Sequence, residues 1–270
     1  MAVIYWNSST GDPSQAASWV GGVPTATDHV IWDGRSQRSV TGGFTIQGAR
    51  FRTMSAYTGD LGQPGSSIVL AAQEAEALIQ GRGHVFHGDQ AQLSIMLDSP
   101  NLVDALYLTG SGGGGINYLF MRSGRGIMQA GSQVAGRIVI EANSRLAAAR
   151  LRIETTLTTP TVYNSGGEIE AVNGAVLTTV NMMSGVLLVE NPAGCANIIM
   201  FGGTHINKTT ALISNLIAFG GIVDFSQYDV GRSINLFIKG RNVDYRSHPN
   251  LIFIRPIVDL ESDVPVFTLP

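Results

Sequence analysis

The residues best suited to chemistry in this sequence are two glutamates, Glu168 and Glu170. A glycosidase needs two carboxyl groups separated by roughly 5 to 9.5 Å. Two positions apart on one strand, these side chains would lie about 7 Å apart. Sites that cleave polysaccharide also use Arg, Lys or His beside the carboxylates, and we expect no basic residue next to this pair. We therefore interpret both glutamates as solvated carboxylates on the face of a sheet.

Two histidines, His84 and His87, have the residue type of a metal ligand, and Asp89 follows them. On a strand, positions three apart point to opposite faces, so the two imidazoles would diverge. On a helix they would converge, but three glycines within 81–88 disfavour a helix there. The sequence predicts no metal site.

Other chemical motifs lack their structural context. The stretch 110-GSGGGG looks like a phosphate-binding glycine pattern, but no strand-to-helix unit surrounds it, so we interpret it as a loop. No nucleophile elbow and no P-loop occurs in the sequence. The single cysteine, Cys195, excludes an internal disulfide and is expected to be a buried small apolar residue. We predict no catalytic residue and no cofactor, and the chain is not expected to be an enzyme.

The elements that carry these residues follow from an 18-residue repeat over 164–235. When the four units are placed in register, one column contains only glycine: Gly167, Gly185, Gly203 and Gly221. Thirteen positions later stands an apolar column: Val180, Ile198, Leu216 and Ile234. The match is weaker over 110–163. A fixed period of this kind indicates one structural unit stacked repeatedly on its neighbours.

Within each unit, the residues after the glycine alternate in the way expected of a strand with an inward and an outward face. Two columns are expected to point inward: Ile169, Leu187, His205 and Val223, then Ala171, Val189, Asn207 and Phe225. The column between them is expected to point outward: Glu170, Leu188, Ile206 and Asp224. The third unit fits worst, because His205 and Asn207 would point inward. Glu170 and Asp224 would lie about 14 Å apart, too far for a catalytic pair.

These patterns predict an all-β fold, a parallel β-helix or solenoid with rungs of about 18 residues. We expect an N-terminal arm and cap over 1–40, an irregular β region over 41–109, the solenoid over 110–240 and an extended C-terminal arm over 241–270. In the cap, Trp6, Trp19 and Trp32 would cover the open end of the apolar stack. The alternative, an aromatic platform for sugar rings, is disfavoured because turn residues separate the tryptophans. The apolar, proline-interrupted C-terminal stretch is a candidate inter-subunit arm.

Composition limits the partners. Charged residues make up 14% of the chain, against a usual value of roughly 25%. Such a surface is explained either by cover from partner subunits or by a β-protein rich in small neutral residues. The net charge is −3 and no basic run occurs, so nucleic acid is not an expected partner. Since the sequence has no secretory signal and no apolar stretch long enough to span a bilayer, we expect no membrane association and synthesis in a cytoplasm.

The stretch 18-SWVGGVPTATDHVIWDG resembles the capped start of many bacterial and phage β-solenoid proteins. Together with the Gly-Gly rungs, the chain resembles tailed-bacteriophage virion proteins, either capsid decoration (cement) proteins or fibre and tailspike modules. Tailspikes are usually longer and carry carboxylates and aromatic residues in a carbohydrate cleft, and this chain lacks both. The resemblance therefore favours a cement protein.

The resemblance to cement proteins implies a structural role without chemistry. The expected partner is the major capsid protein, and the expected assembly is a homotrimer. The expected location is the capsid surface of a virion, after synthesis in the host cytoplasm. The alternative implied function is a tail fibre or tailspike module that binds or cleaves host polysaccharide. A bacterial surface adhesin is a third alternative.

Overall fold

A computed structural model describes residues 2–46, 50–63, 66–70, 76–80, 83–87, 93–98, 105–110, 116–132, 134–141, 149–190, 192–227, 232–260 and 266–268. The chain is nearly all β and forms a parallel β-solenoid of about nine turns, with a spacing of about 19 residues. This confirms the predicted fold class. No helix among the described residues is long and apolar enough to cross a membrane.

The chain divides into two compact units. Unit 1 comprises residues 1–137 and 143–149, and unit 2 comprises residues 138–142 and 150–270. Each unit is built from strands that pair mainly in parallel with strands one turn away. The two units differ in how evenly paired positions are spaced along the sequence.

Unit 1 contains thirteen strands among its described residues and a short 3-10 helix (Ala16–Ser18). The strands are β1 (Val3–Trp6), β2 (Trp19–Val20), β3 (His29–Trp32), β4 (Phe44–Ile46), β5 (Arg50–Thr53), β6 (Gly62–Gln63), β7 (Ser66–Leu70), β8 (Glu76–Ile79), β9 (Gly83–His87), β10 (Leu93–Asp98), β11 (Ala105–Gly110), β12 (Ile116–Ser123) and β13 (Arg125–Met128). Residues of β14 (Val134–Glu141) belong to both units.

Paired positions in unit 1 are unevenly spaced. His29 pairs with Arg50, and Arg50 pairs with Glu76, which is a longer step along the sequence. Glu76 in turn pairs with Ser94, which is the shortest of the three steps. These unequal turns hide the period from the sequence, which explains why the repeat is lost before residue 110.

Unit 2 contains longer strands, several of which bend at a corner within one strand. They are β15 (Arg150–Ile153), β16 (Leu157–Ala171), β17 (Val176–Glu190), β18 (Gly194–Met200), β19 (Thr204–Lys208), β20 (Ile213–Asp224), β21 (Arg232–Arg246), β22 (Leu251–Phe253), β23 (Ile257–Asp259) and β24 (Val266–Thr268). Paired positions keep the period of the sequence repeat from Glu168 through Val186 and Thr204 to Ile222.

The glycine column marks the corners of unit 2. Gly203 and Gly221 have φ angles of +84° and +95°, which side chains rarely adopt. A Cβ atom on Gly221 would lie 2.9 Å from the backbone carbon of Gly202 on the preceding turn. Both backbone conformation and close stacking therefore require glycine at this corner.

The interior of unit 2 follows the predicted alternation. Both columns expected to point inward are buried, including His205 and Asn207 in the third repeat. One expectation about the apolar column is wrong: Leu216 pairs with Phe237, and Ile234 pairs with Ile213. The turn that joins Ile213 to Ile234 is longer than the repeat period, so the residues aligned after it are shifted.

Parallel pairing continues past residue 240, where the sequence places the start of the arm. Residues up to Arg246 pair with β20, and β22 and β23 then pair with β21. The last strand, β24, pairs antiparallel with β23. The described residues of the C-terminal segment are thus extended and form part of unit 2. Its predicted inter-subunit role stays a prediction.

The three tryptophans form one aromatic cluster in unit 1. Trp6 and Trp32 are stacked with ring centroids 5.7 Å apart, and Trp19 meets both rings edge-on. All three are buried, and Trp32 also contacts Phe51 in the next turn. This confirms the aromatic cap and leaves no indole face free to act as a sugar platform.

Candidate interaction surface

The glutamate pair lies on β16, and each glutamate has a basic neighbour. Arg150 aligns with Glu168 and Arg152 aligns with Glu170, one turn earlier. The shortest distances are 3.3 Å from Arg150 Nε to Glu168 Oε2 and 3.2 Å from Arg152 Nη1 to Glu170 Oε2. The expectation of no basic residue beside this pair is therefore wrong. Each arginine stands one repeat period before its partner, so the period itself contained the signal.

We call Arg150, Arg152, Glu168 and Glu170 the ladder. Arg152 connects a third carboxylate to it. Its Nε atom donates to Glu154 at 2.8 Å. This hydrogen bond, followed by the charges of Glu170 and Glu154, raises the pKa of Arg152. Each carboxylate of the ladder therefore lies beside an arginine, an arrangement typical of charge-assisted pairing.

The prediction that the Asp224 side chain points into solvent is wrong. Asp224 is 3% exposed, although its backbone occupies the expected column beside Ile206. Its carboxylate turns back to accept bonds from the Ser226 backbone N–H at 2.8 Å and the Ser226 hydroxyl at 2.6 Å. Burial raises the pKa of Asp224, but these bonds, with Gln227 and Arg246, lower it overall. A local turn after the strand explains the difference.

The histidine pair lies on a strand, β9, as the glycines indicated. Asp89 falls outside the described residues, as do residues 111–115 of the glycine loop. Over the described part of the chain, no group of three or more His, Cys, Asp or Glu side chains could hold a metal ion. Cys195 is buried as predicted, and burial raises the pKa of its thiol to about 12.

The most distinctive surface of unit 2 is one that the sequence analysis missed. Three exposed apolar side chains occupy the position just before the glycine corner: Met183 (58% exposed), Phe201 (53%) and Phe219 (44%). The rings of Phe201 and Phe219 stack with centroids 5.3 Å apart. We call these three residues the apolar corner. The signal was present in the aligned letters MMSG, MFGG and AFGG.

Apolar side chains continue on both sides of the apolar corner. On one side, half-buried isoleucines of consecutive turns are paired in register: Ile199, Ile217 and Ile238. On the other side lie further half-buried aliphatic residues: Val186, Leu188, Ile206 and Ile222. We call these two sets the flanks. Together, the apolar corner and its flanks form an apolar surface on β17 to β21. Thr204 interrupts one flank, which ends at Asp244, the residue aligned with Ile222.

Charges in the same turns are paired with one another. Lys208 lies 3.6 Å from Glu190, and Arg246 lies 2.9 Å from Asp244. Arg152 and Glu170 pair in an earlier turn. An apolar centre with a polar margin is the arrangement typical of a protein–protein interface. Exposed contiguous apolar patches on a folded chain commonly mark binding sites.

Comparison of the chain with protein-family profiles, with curated proteins and with solved structures finds no match.

Proposed function

We propose that this chain is a structural protein of a virion, a capsid decoration (cement) protein without enzymatic activity. The observation that carries the proposal is the apolar corner of unit 2, a column of three exposed large side chains. Its proposed partner is the major capsid protein. The proposed location is the capsid surface, reached after synthesis in the host cytoplasm.

The physical argument concerns what the apolar corner gains on binding. A half-exposed phenylalanine that becomes fully buried contributes about 1 kcal/mol or more. The glycine corner fixes the backbone under each side chain, so little conformational freedom is lost on contact. A charge-poor surface also removes the cost of desolvating ions. Many such contacts around a shell would resist its separation.

We further propose a homotrimer, because a shell surface offers three-fold positions and the low charge of the chain favours cover by partner subunits. Light scattering of the purified protein tests this directly. A trimeric mass supports the proposal, whereas a monomer at all concentrations contradicts it.

The function is tested with capsids lacking the protein, to which wild-type chain or the double variant Phe201→Ser/Phe219→Ser is added before heating. We expect wild-type protein to raise the temperature of capsid disruption and the double variant to lose this protection. Circular dichroism should show that the variant remains folded, because both rings are already half exposed.

Leu212→Ser is the matched control, since Leu212 is 49% exposed in unit 2 but lies outside the apolar corner and its flanks. This variant should protect capsids as well as wild type does. Equal survival of capsids with and without the wild-type protein would contradict the cement function. Full protection by the double variant would contradict the assignment of the apolar corner.

A second candidate function, a fibre or tailspike module acting on host polysaccharide, is favoured by the ladder of Arg150, Arg152, Glu168 and Glu170. Carboxylates beside arginines are the residue types that such sites use. Incubation with host capsule or lipopolysaccharide should then yield shortened chains, and Glu168→Gln and Glu170→Gln should each abolish the cleavage. Intact polysaccharide after incubation with wild-type protein excludes cleavage.

A further inference from the structure

Unit 1 has a groove on outward positions of its strands that plays no part in the proposed function. Its central cavity has a volume of about 470 Å³, and its floor includes Leu78, Met96 and Phe120. These three residues lie in register on β8, β10 and β12. Tyr118 stands beside Phe120 and is 36% exposed. A cavity of about 150 Å³ suffices for a benzene ring, so the groove can hold more than one bulky side chain.

One end of the groove is basic. A second cavity of about 280 Å³ shares Leu78 with the first and is lined by His29, Arg50 and Arg52. Arg52 is aligned with Leu78 on the neighbouring strand and is exposed. Arg52 is not ion-paired within the described part of the chain. An exposed guanidinium beside an apolar floor favours a ligand that carries a carboxylate next to an apolar group.

The other end of the groove also carries a cation. Arg122 lies two residues beyond Phe120 on β12, with its guanidinium carbon 6.0 Å from the centre of that ring. The chain as a whole has a net charge of −3, so two exposed arginines at the ends of one apolar groove depart from its average. Asp98 also stands on β10, two residues beyond Met96, so an acidic group of a ligand is favoured at the Arg52 end of the groove.

The lining of the groove distinguishes a peptide from a sugar. Among the described residues that line the central cavity, the side chains that offer polar partners are those of Ser94 and Tyr118, each with one hydroxyl group. A sugar that entered it would bury several hydroxyl groups without hydrogen bonds, and each would cost on the order of 1–3 kcal/mol. An aliphatic or aromatic peptide side chain has no such cost.

The spacing of the groove sets the spacing of the ligand. Three strand-to-strand steps separate Arg52 from Phe120, a distance of about 14 Å at 4.8 Å for each step. An extended peptide covers this length in about four residues at roughly 3.3 Å per residue. The matching ligand has a carboxylate and a bulky apolar side chain four positions apart.

We propose that the unit 1 groove binds an extended acidic peptide segment of a partner protein. A carboxylate of the peptide pairs with Arg52, and an apolar side chain about four residues away packs on Met96 and Phe120. This site is separate from the apolar corner and does not depend on the cement function.

The test uses a fluorescein-labelled synthetic peptide, ESDVPVFTLP, whose sequence is that of residues 261–270 and has an aspartate and a phenylalanine four positions apart. Binding to the full-length protein is measured by fluorescence anisotropy. We expect saturable binding that weakens at least tenfold for Arg52→Glu and for Phe120→Ser, and that falls as salt is added. Peptides with lysine for the aspartate or serine for the phenylalanine should lose affinity to a similar extent.

Arg255→Glu is the matched control, because Arg255 is an exposed arginine of unit 2, and it should bind the peptide as wild type does. Circular dichroism verifies that each variant is folded. Equal affinity of wild type and Arg52→Glu would overturn the proposal, as would absence of binding to wild type. Displacement of the peptide by an oligogalacturonate that binds more tightly would overturn it in favour of a carbohydrate site.

Discussion

The apolar corner of unit 2 and the groove of unit 1 are both made from outward strand positions, yet they treat charge differently. In unit 2, Arg150 and Arg152 pair with Glu168 and Glu170 of the next turn. In unit 1, Arg52 stands exposed at the end of an apolar groove. A surface with paired charges is suited to a neutral apolar partner, whereas a surface with an exposed cation is suited to an acidic one.

The regularity of the turns explains this difference. Where the period is constant, equivalent positions stack directly, so Phe201 falls on Phe219 and Arg152 on Glu170. Unequal spacing in unit 1 brings unlike residues together, such as Arg52 beside Leu78. Ladders form in the first case and a mixed groove in the second.

The largest expected effect tests how strictly the corner of unit 2 requires glycine. Gly221→Val places a branched side chain against the backbone of Gly202 and Gly203 at a φ of +95°. Strain and overpacking together should cost about 2–6 kcal/mol, a large part of the stability of a typical domain. We expect little soluble protein, or a strongly lowered urea midpoint.

Gly22→Val in unit 1 is the matched control, because Gly22 has nearly the same φ of +96° but a Cβ atom there would meet nothing within 4 Å. It should cost only the backbone strain, about 1–3 kcal/mol. If the two variants were equally stable, close stacking would not be what fixes the corner of unit 2.

The sequence could predict those parts of the fold that depend on a constant period. The buried columns of unit 2, including His205 and Asn207, follow from alternation after the glycine. Asp224 breaks the pattern because Ser226 supplies a local turn, and Phe237 replaces Ile234 because one turn is longer than the others. A repeat of fixed length indicates neither the local turn at Ser226 nor the longer turn before Ile234.

The two binding surfaces also differ in whether a constant sequence period could predict them. The three residues of the apolar corner occupy one column of the aligned repeats, so the sequence could predict that they lie together. The unit 1 groove was not readable, because Arg52, Leu78, Met96 and Phe120 are far apart in the sequence and stand at unequal intervals. Only the folded chain shows that these residues are neighbours.

A second prediction uses the pH dependence of stability to distinguish a buried titratable group of unit 2 from one of unit 1. Burial lowers the pKa of His205 to about 4, while the backbone of Leu187 and the charge of Asp224 act in the opposite direction. The unfolded chain takes up a proton near pH 6.5, so stability is complete above that pH and falls as the pH is lowered from about 6.5 to about 4. The full loss, about 3 kcal/mol, is reached near pH 4, and about 2 kcal/mol of it should appear between pH 7.5 and pH 5. His205→Leu should remove it, as urea unfolding at pH 7.5 and pH 5 will show.

In unit 1, Asp28 is a titratable group whose contribution to stability is lost at a lower pH than that of His205. The Thr25 hydroxyl, with the backbone N–H groups of Ala2 and Thr25, lowers the pKa of Asp28 to about 2. Its contribution to stability is present above pH 4 and is lost only as the pH falls from about 4 toward 2. Asp28→Asn should therefore leave the change between pH 7.5 and pH 5 intact. If Asp28→Asn removed that change and His205→Leu did not, the assignment of the two pH ranges would be wrong.

The smallest expected effect compares Arg152, which is ion-paired, with Arg52, which has no ion pair in the described residues. Arg152→Gln removes contacts to Glu154 and Glu170, but all three side chains are partly exposed, so the loss should stay below about 1 kcal/mol. Arg52→Gln should leave the stability unchanged. Urea unfolding in low salt and in 1 M NaCl distinguishes the two, since salt screens the paired contribution and should bring the variants together. A loss for Arg52→Gln as large as that for Arg152→Gln would mean that the cation of the groove is already bound by its own chain.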